Sequence, residues 1–341
     1  MNDLIEKIQK IRGSKVITYL TSDRQGPPSA RIAMDIVPII SSHLRQIGKV
    51  PRIDLFLYSS GGDTMVPWRI VSMIREYCDE FCVLIPYKAH SAATMISLGA
   101  DKILMSDLSE LSPIDPSTSN VFNPEDPNHN KIPISVEDVM AYFDLAKNKF
   151  GIKDEEELAK IFTKFVDSNP QIHPLALGNV NRIHNLIRLL ARRLLKSHKK
   201  PMSNEKVETA LDYFTEKLYS HQYVIGRKEA LNDLGVESVE FADQELSQAM
   251  TELFDHYKKE MELDLPWNPE IEIGTNQALN KKDYQIAIIQ SQAKKDFYNL
   301  EIEYKKGQIN MMQQTPQGAI QTPQDQVLWR IVKQGWQTQE K

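Results

Sequence analysis

The first hundred residues alternate short apolar segments with amphipathic ones, and this alternation restricts the fold more than any other feature. The run FCVLIPY (81–87) is apolar at nearly every position, which suits a strand buried on both faces of a sheet. The other predicted strands are 15–20, 52–59 and 102–105, and the segments with helical spacing are 31–47, 65–78 and 92–100. This order predicts an α/β fold with a parallel sheet and crossover helices.

The second half of the chain changes character twice. Residues 117–133 are rich in proline and asparagine, which indicates a loop. Helices are predicted at 135–149, 154–168, 179–198, 204–220 and 227–235. Beyond about residue 250, WNPEIEI, YQIAIIQSQ and FYNLEIEYK favour strands or extended arms. The glutamine-rich last thirty residues are expected to be weakly structured.

Composition and charge limit the possible partners. The formal net charge of −5 gives no electrostatic case for a nucleic-acid partner. No apolar stretch approaches the ~20 residues of a membrane-spanning helix, and the N-terminal residues lack the apolar core of a secretory signal. We therefore expect a cytoplasmic protein without a membrane span.

The two cysteines, Cys78 and Cys82, are the only ones in the chain. Disulfide scaffolds contain many more cysteines, and metal sites usually have further Cys or His ligands nearby, which this segment lacks. We therefore expect both side chains to be small buried apolar groups, and we expect neither a metal nor a cofactor.

Small residues follow the ends of two predicted strands. Gly61 and Gly62 come directly after strand 52–59, and Ser91 stands between strand 81–87 and the next helix. Sites in parallel sheets form beyond the carboxyl ends of the strands, so these segments are expected to meet. A nucleophilic serine needs N–H donors aimed at the developing oxyanion, which Gly62 and Ala92 could supply. A serine at a helix start is also a common N-cap, so these residues alone leave both interpretations open.

Several motifs resemble those of known peptidases. LFLYSSGGD (55–63) resembles the strand and glycine pair of the Clp protease proteolytic subunit and of signal peptide peptidase A, and SAATMISLGADKILM (91–105) resembles the nucleophile helix of the latter. The fuller match is to the serine dehydrogenase proteinase family, through SELSPIDPS, HPLALGNVNR and YSHQYVIGRKEA (109–117, 173–182 and 219–230). The resemblance covers about residues 14–240.

This resemblance implies a crotonase-like or Clp-protease-like fold of stacked ββα units with helical additions. It places the peptidase domain at 1–245, with a helical insertion at about 117–220, and leaves 246–341 as a C-terminal extension that is partly extended or flexible. The activity implied is that of a serine endopeptidase acting on peptides or unfolded proteins, within a homo-oligomer. We also expect the extension to contact other subunits, a partner protein or the site entrance.

Carried over to this sequence, the family's site residues are Ser91 as the nucleophile and Gly62 with Ala92 as the oxyanion donors, while Gly61 shapes the turn. The resemblance leaves the general base open, because SPIDPS stands where the Clp peptidase has its histidine. That stretch offers Asp115, and the later aspartate position offers His221, so the two roles could be exchanged.

A serine–lysine pair, as in signal peptide peptidase A, is the other possibility. Lys147 and Lys149 lie at a comparable distance along the chain, although a lysine base must be desolvated and both appear in a polar segment. His90 would point away from Ser91 on an extended backbone. Two other functions stay open on the same fold: a crotonase-type acyl-CoA enzyme and a non-catalytic scaffold.

Overall fold

The computed structural model describes residues 2–340 except 115–116, 119–120, 127–128, 133, 168–172, 219 and 316–317. The strands are β1 (Lys15–Thr21), β2 (Val50–Tyr58), β3 (Cys78–Ile85), β4 (Lys88–Ala89), β5 (Lys102–Met105), β6 (Glu110–Leu111), β7 (Ser117–Thr118), β8 (Ile134–Ser135), β9 (Ile225–Gly226), β10 (Val239–Phe241), β11 (Ala278–Gln290), β12 (Lys294–Thr315) and β13 (Gly318–Glu340).

The helices are α1 (Asn2–Arg12), α2 (Ile36–Ile47), α3 (Val66–Arg75), α4 (Ala92–Leu98), α5 (Val136–Asp144), α6 (Glu155–Asp167), α7 (Pro174–Lys196), α8 (Asn204–Asp212), α9 (Arg227–Asn232), α10 (Gln244–Glu260) and α11 (Pro269–Ile273). Two π-helical turns continue α5 and α8 at Leu145–Lys149 and Tyr213–Lys217. Within the described ranges, none of these helices is both long and apolar enough to span a bilayer.

One eight-stranded sheet forms the centre, in the order β10-β5-β3-β2-β1-β11-β12-β13. The first five strands of this order are parallel, and β11, β12 and β13 are antiparallel. The predicted α/β class with a parallel sheet and crossover helices is therefore confirmed. A separate three-stranded sheet, β4-β6-β9, lies beyond the ends of β2 and β3, where Ser59 bridges to Ala89.

Both faces of the parallel sheet are covered, which explains the unbroken apolar run in β3. Val83 and Ile85 face the core formed with α2, α3, α4 and α7. Cys82 and Leu84 face the opposite core, which contains side chains of α1 and α10. Because successive strand residues point to opposite faces, every position of β3 from Phe81 onwards is buried.

The structure differs from the sequence-based expectations at several boundaries. Helix α2 begins at Ile36 and not near residue 31. This start places Pro38 in the first turn, where backbone N–H groups have no intrahelical acceptor and the lack of an N–H on proline breaks no hydrogen bond. Cys78 and Cys82 both lie in β3, where Cys82 is buried as expected and Cys78 is only partly buried. Part of the predicted strand WNPEIEI is helix α11, which Asn268 caps through its side chain. The last thirty residues, expected to be weakly structured, are described largely as β13 and the end of β12.

The residues assigned to a C-terminal extension continue the main sheet, because β11 pairs with β1. A buried polar cluster also joins this part to α2. His43, which is fully buried, places Nδ1 2.8 Å from Ser291 Oγ and Nε2 2.9 Å from Asp296 Oδ2. Lys294 Nζ lies 2.8 Å from the same Asp296 oxygen, and Thr338 of β13 donates to the other. The cluster therefore connects α2 with β12, β13 and the turn between β11 and β12.

This cluster predicts a loss of stability in mild acid. Burial, followed by the charge of Lys294, lowers the pKa of His43 from 6.5 to about 4. The unfolded chain takes up the proton first, so stability present above pH 6.5 is lost as the pH falls towards 4. Each pKa unit corresponds to about 1.4 kcal/mol, so between pH 7 and pH 5 this residue should cost about 2 kcal/mol of unfolding free energy.

Chemical denaturation of the wild type and of His43→Gln at the two pH values checks this expectation. The variant lacks the titrating imidazole, and its unfolding free energy should fall about 2 kcal/mol less between pH 7 and pH 5. Equal losses in the two proteins would contradict the assignment of the acid sensitivity to His43.

Candidate active site

The structure brings the glycine turn and the serine turn together, as the sequence predicts. The Ser59 N–H donates to Lys88 O at 3.1 Å, and the His90 N–H donates to Ser59 O at 2.9 Å. These bonds align the segment before Ser91 with the turn that follows β2. A Cβ placed on Gly61 would lie 2.7 Å from Ser91 Cβ, so the nucleophile candidate faces this turn.

The two glycines are required by the backbone around them. Gly61 and Gly62 have φ values of 100° and 155°, which residues with a side chain rarely adopt. The backbone of Ile32 lies directly against this turn: its N–H donates to Gly61 O at 2.9 Å, and its carbonyl accepts the Asp63 N–H at 2.8 Å. A Cβ on Gly62 would lie only 2.2 Å from Ile32 O. The turn therefore has no room for a side chain at Gly62.

Ser91 occupies an unusual backbone conformation. Its φ of 51° and ψ of −112° lie outside the helical, extended and left-handed helical regions. The side chain makes no capping hydrogen bond to α4, and Ser91 Oγ has no hydrogen bond to any residue that the structure describes. The N-cap interpretation is therefore wrong. Backbone strain of this kind costs about 1–3 kcal/mol and concentrates at functional sites.

Two backbone N–H groups of the glycine turn and the serine turn have no described acceptor. In the described parts of the chain, neither the Gly62 N–H nor the Ala92 N–H donates a hydrogen bond. Ala92 N would lie 3.2 Å from a Cβ on Gly61, so this amide borders the glycine turn. Ala92 is fully buried. An unpaired N–H group at such a place is available to an acceptor brought in by a ligand.

A group of titratable side chains lies beside the serine. His90 Nε2 is 3.0 Å from Glu110 Oε1, outside hydrogen-bonding geometry. Burial, followed by the charges of Lys88 and His221, lowers the pKa of His90 to about 4. Burial also raises the pKa of Glu110. His90 is therefore neutral at pH 7, and the predicted base His221, although exposed, lies within electrostatic reach of the residue next to Ser91.

The other predicted participants are placed differently. Asp115 lies outside the described residues. Lys147 and Lys149 are exposed on the π-helical turn, in the solvated setting that the sequence indicates. A lysine base needs desolvation, which neither side chain has here. Glu110 and Ser112 are not among the site residues predicted from the sequence. Both follow β5 in SELSPIDPS, and only the fold shows that Ser112 contacts Ser91 and that Glu110 lies beside His90.

Comparison with known proteins confirms the resemblance over the N-terminal part of the chain. The family described as ClpP-like SDH-type serine proteinase matches residues 1–127. An uncharacterised protein of Methanocaldococcus jannaschii is 28% identical over 142 residues, which is 36% of this chain and 50% of that protein. A second uncharacterised protein of that organism is 28% identical over 117 residues, 33% of this chain and 40% of its own length. The chain thus spans at most about half of these relatives.

Solved structures show weaker likeness. The 1510-N membrane-bound stomatin-specific protease, as a mutant in complex with a substrate peptide, has a TM-score of 0.37 and 14% identity, covering 68% of this chain and 76% of that one. An enoyl-CoA hydratase/isomerase from Marinobacter aquaeolei has a TM-score of 0.29 and 9% identity, covering 67% and 69%. Similarity at this level carries no conclusion about activity.

Proposed function

Because residues 1–127 match the ClpP-like SDH-type serine proteinases, we propose that this chain is a serine endopeptidase that forms an acyl-enzyme on Ser91. The observation that supports the proposal most is the junction of two turns. A serine in a strained backbone faces a glycine turn, and two unpaired amides border it. Acyl transfer uses a nucleophile with N–H donors beside it, which this junction could supply.

The proposed reaction has two halves. In the first, Ser91 Oγ attacks the carbonyl carbon of the substrate and passes its proton to a general base. The resulting oxyanion accepts hydrogen bonds from the Gly62 and Ala92 N–H groups, and Gly61 shapes the turn that presents them. The C–N bond then breaks as the leaving amine takes the proton from the base. In the second half, water repeats the attack on the ester, releases the acid and restores Ser91.

We assign the role of general base to His221, oriented by Asp115. The charge of His221 contributes to the lowered pKa of His90, and this supports the assignment because such an effect requires the His221 imidazole to lie near the residue that precedes Ser91. Asp115 follows Ser112 by three residues, and Ser112 contacts the backbone of Ser91 directly. Lys147 is the alternative base, and it would need to become buried before it could act.

The proposed substrates are peptides or unfolded protein segments, and the proposed assembly is a homo-oligomer in the cytoplasm. Support for assembly comes from the helical region, which exposes large apolar side chains: Tyr142, Leu145, Phe150, Phe162 and Leu175. Large exposed apolar surfaces commonly mark contacts with other proteins. The long β12–β13 hairpin is proposed to contact other subunits or a partner protein.

Labelling with a fluorophosphonate probe tests the activity. We expect a single adduct, mapped by mass spectrometry to the peptide that contains Ser91. His221→Ala should slow labelling by roughly 10²–10⁴-fold, the usual contribution of a general base. His129→Ala provides a matched control, because it also removes an exposed histidine. An adduct on another residue would contradict the assignment of Ser91 as the nucleophile, and no adduct at all would favour the non-catalytic scaffold.

A further inference from the structure

Ser112 makes a direct contact with the backbone of the proposed nucleophile. Its Oγ accepts the Ser91 N–H at 2.8 Å and donates its own proton to Pro113 O at 2.9 Å. The donated proton fixes the direction of the hydroxyl, so a lone pair of the oxygen points towards Ser91. Ser112 is 2% exposed, and water therefore does not replace this acceptor easily.

Thr94 holds Ser112 from the other side. The Ser112 N–H donates to Thr94 Oγ1 at 3.1 Å. The Thr94 hydroxyl in turn lies 2.7 Å from Ala89 O and 3.1 Å from Ser112 O. Thr94 is fully buried. These bonds connect the strand before Ser91, the helix after it and the segment after β6 into one closed network.

The network surrounds the residue with the strained backbone. Ser91 has φ 51°, and among the described residues only His129 and Glu262 share a positive φ without being glycine. Such a conformation persists only when the surrounding structure over-determines it. The bond to Ser112 fixes the N–H of Ser91, and the network of Thr94 fixes the segments on both sides. Ser91 itself contributes no side-chain bond to the described part of the chain.

We propose that Ser112 and Thr94 are positioning residues that hold Ser91 in its reactive backbone conformation, an inference that rests on the proposed function. Without the Ser112 hydroxyl, the Ser91 N–H loses its acceptor and the peptide rotates towards a relaxed φ. That rotation moves both Ser91 Oγ and the Ala92 N–H away from the glycine turn. A displacement of about 1 Å is enough to lower a reaction rate roughly 100-fold.

Four variants separate positioning from general stability. Ser112→Ala removes the acceptor, and Thr94→Val removes the hydroxyl at nearly constant shape. Thr94→Ser keeps the hydroxyl and should therefore keep the labelling rate that Thr94→Val loses. Ser109→Ala is the matched control, because Ser109 is 3% exposed in the same segment, and its hydroxyl bonds Ser106 and Ile85 instead of Ser91.

The first measurement is the rate of fluorophosphonate labelling of Ser91 against pH, with the melting temperature of each variant. Ser112→Ala and Thr94→Val should label roughly 10- to 100-fold more slowly with no shift of the pH profile, because neither group titrates. Thr94→Ser and Ser109→Ala should label within about threefold of the wild type. If Ser112→Ala labels as fast as Ser109→Ala, the inference is overturned.

The second measurement does not depend on activity. A crystal structure of Ser112→Ala should show Ser91 with a negative φ, while Ser109→Ala should keep φ near 51°. If Ser91 keeps its strained φ in Ser112→Ala, positioning by Ser112 is refuted, even if the wild type labels at Ser91 as proposed. If the wild type does not label and Ser91 nevertheless relaxes in Ser112→Ala, the proposed activity fails and the positioning role stands.

Discussion

Ser91→Ala is expected to abolish fluorophosphonate labelling and to lower kcat for an extended peptide by roughly 10⁵–10⁶-fold, as expected for loss of a catalytic serine. The fold should survive, because Ser91 Oγ makes no hydrogen bond to the described residues and alanine keeps the same Cβ. The unfolding free energy should therefore change by less than about 0.5 kcal/mol. This combination distinguishes a nucleophile from a structural serine.

Ser72→Ala is the control for this experiment, because among the described residues the Ser72 hydroxyl bonds only two carbonyl groups of its own helix, Trp68 O and Arg69 O. It should label and hydrolyse as the wild type does. Labelling or hydrolysis that persists in Ser91→Ala would remove the nucleophile assignment. A large drop in its melting temperature would instead point to a structural role for Ser91.

Gly62→Ala is expected to damage both the site and the fold. The new Cβ would meet Ile32 O at 2.2 Å and Ile32 N at 2.5 Å, and both are backbone atoms that cannot move aside as a side chain can. The turn must therefore shift, which withdraws the Gly62 N–H from the proposed oxyanion hole. Loss of one such donor lowers kcat about 10²–10³-fold, and the clash should cost at least about 2 kcal/mol of unfolding free energy.

Gly48→Ala isolates the part of this effect that comes from backbone strain alone. Gly48 also has a positive φ, 71°, but a Cβ there would have no neighbour within 4 Å. Its unfolding free energy should fall by about 1 kcal/mol, with kcat unchanged. Peptidase assays and denaturant titrations on both variants provide the comparison. Similar kcat values for the two would count against a role of the Gly62 amide in catalysis.

The parallel half of the sheet could be predicted from the sequence because each strand carries its own signal. FCVLIPY predicts a strand that is buried on both faces, and β3 is buried at every position from Phe81 to Ile85. Helix α10 was missed, although Leu246, Met250 and Leu253 have helical spacing and face the core. The glutamine-rich end was expected to be weakly structured, but it forms a strand, β13, that pairs with β12. Composition alone does not reveal such pairing.

Some features of the candidate site could likewise be predicted from the sequence, and others could not. The meeting of the Gly61–Gly62 turn with Ser91 could be predicted, because both segments follow the carboxyl ends of neighbouring parallel strands. Ser112 could not, since its role depends on a bond to a residue 21 positions earlier. Ser91's strained backbone was also not predictable from composition, because serine has no preference for that region. Tertiary contacts impose this conformation on the residue.

The pairing of β11 with β1 has a consequence for any shortened form of the protein. In the intact chain, β11 covers the outer side of β1 along Thr18–Thr21. A fragment ending before Ala278 would leave these peptide groups as an open edge, next to the apolar side chains of Tyr19 and Leu20. Open edges of this kind recruit strands from other molecules and lead to aggregation. Insolubility of such a fragment would therefore reflect the uncovered edge rather than a failure of the N-terminal residues to fold.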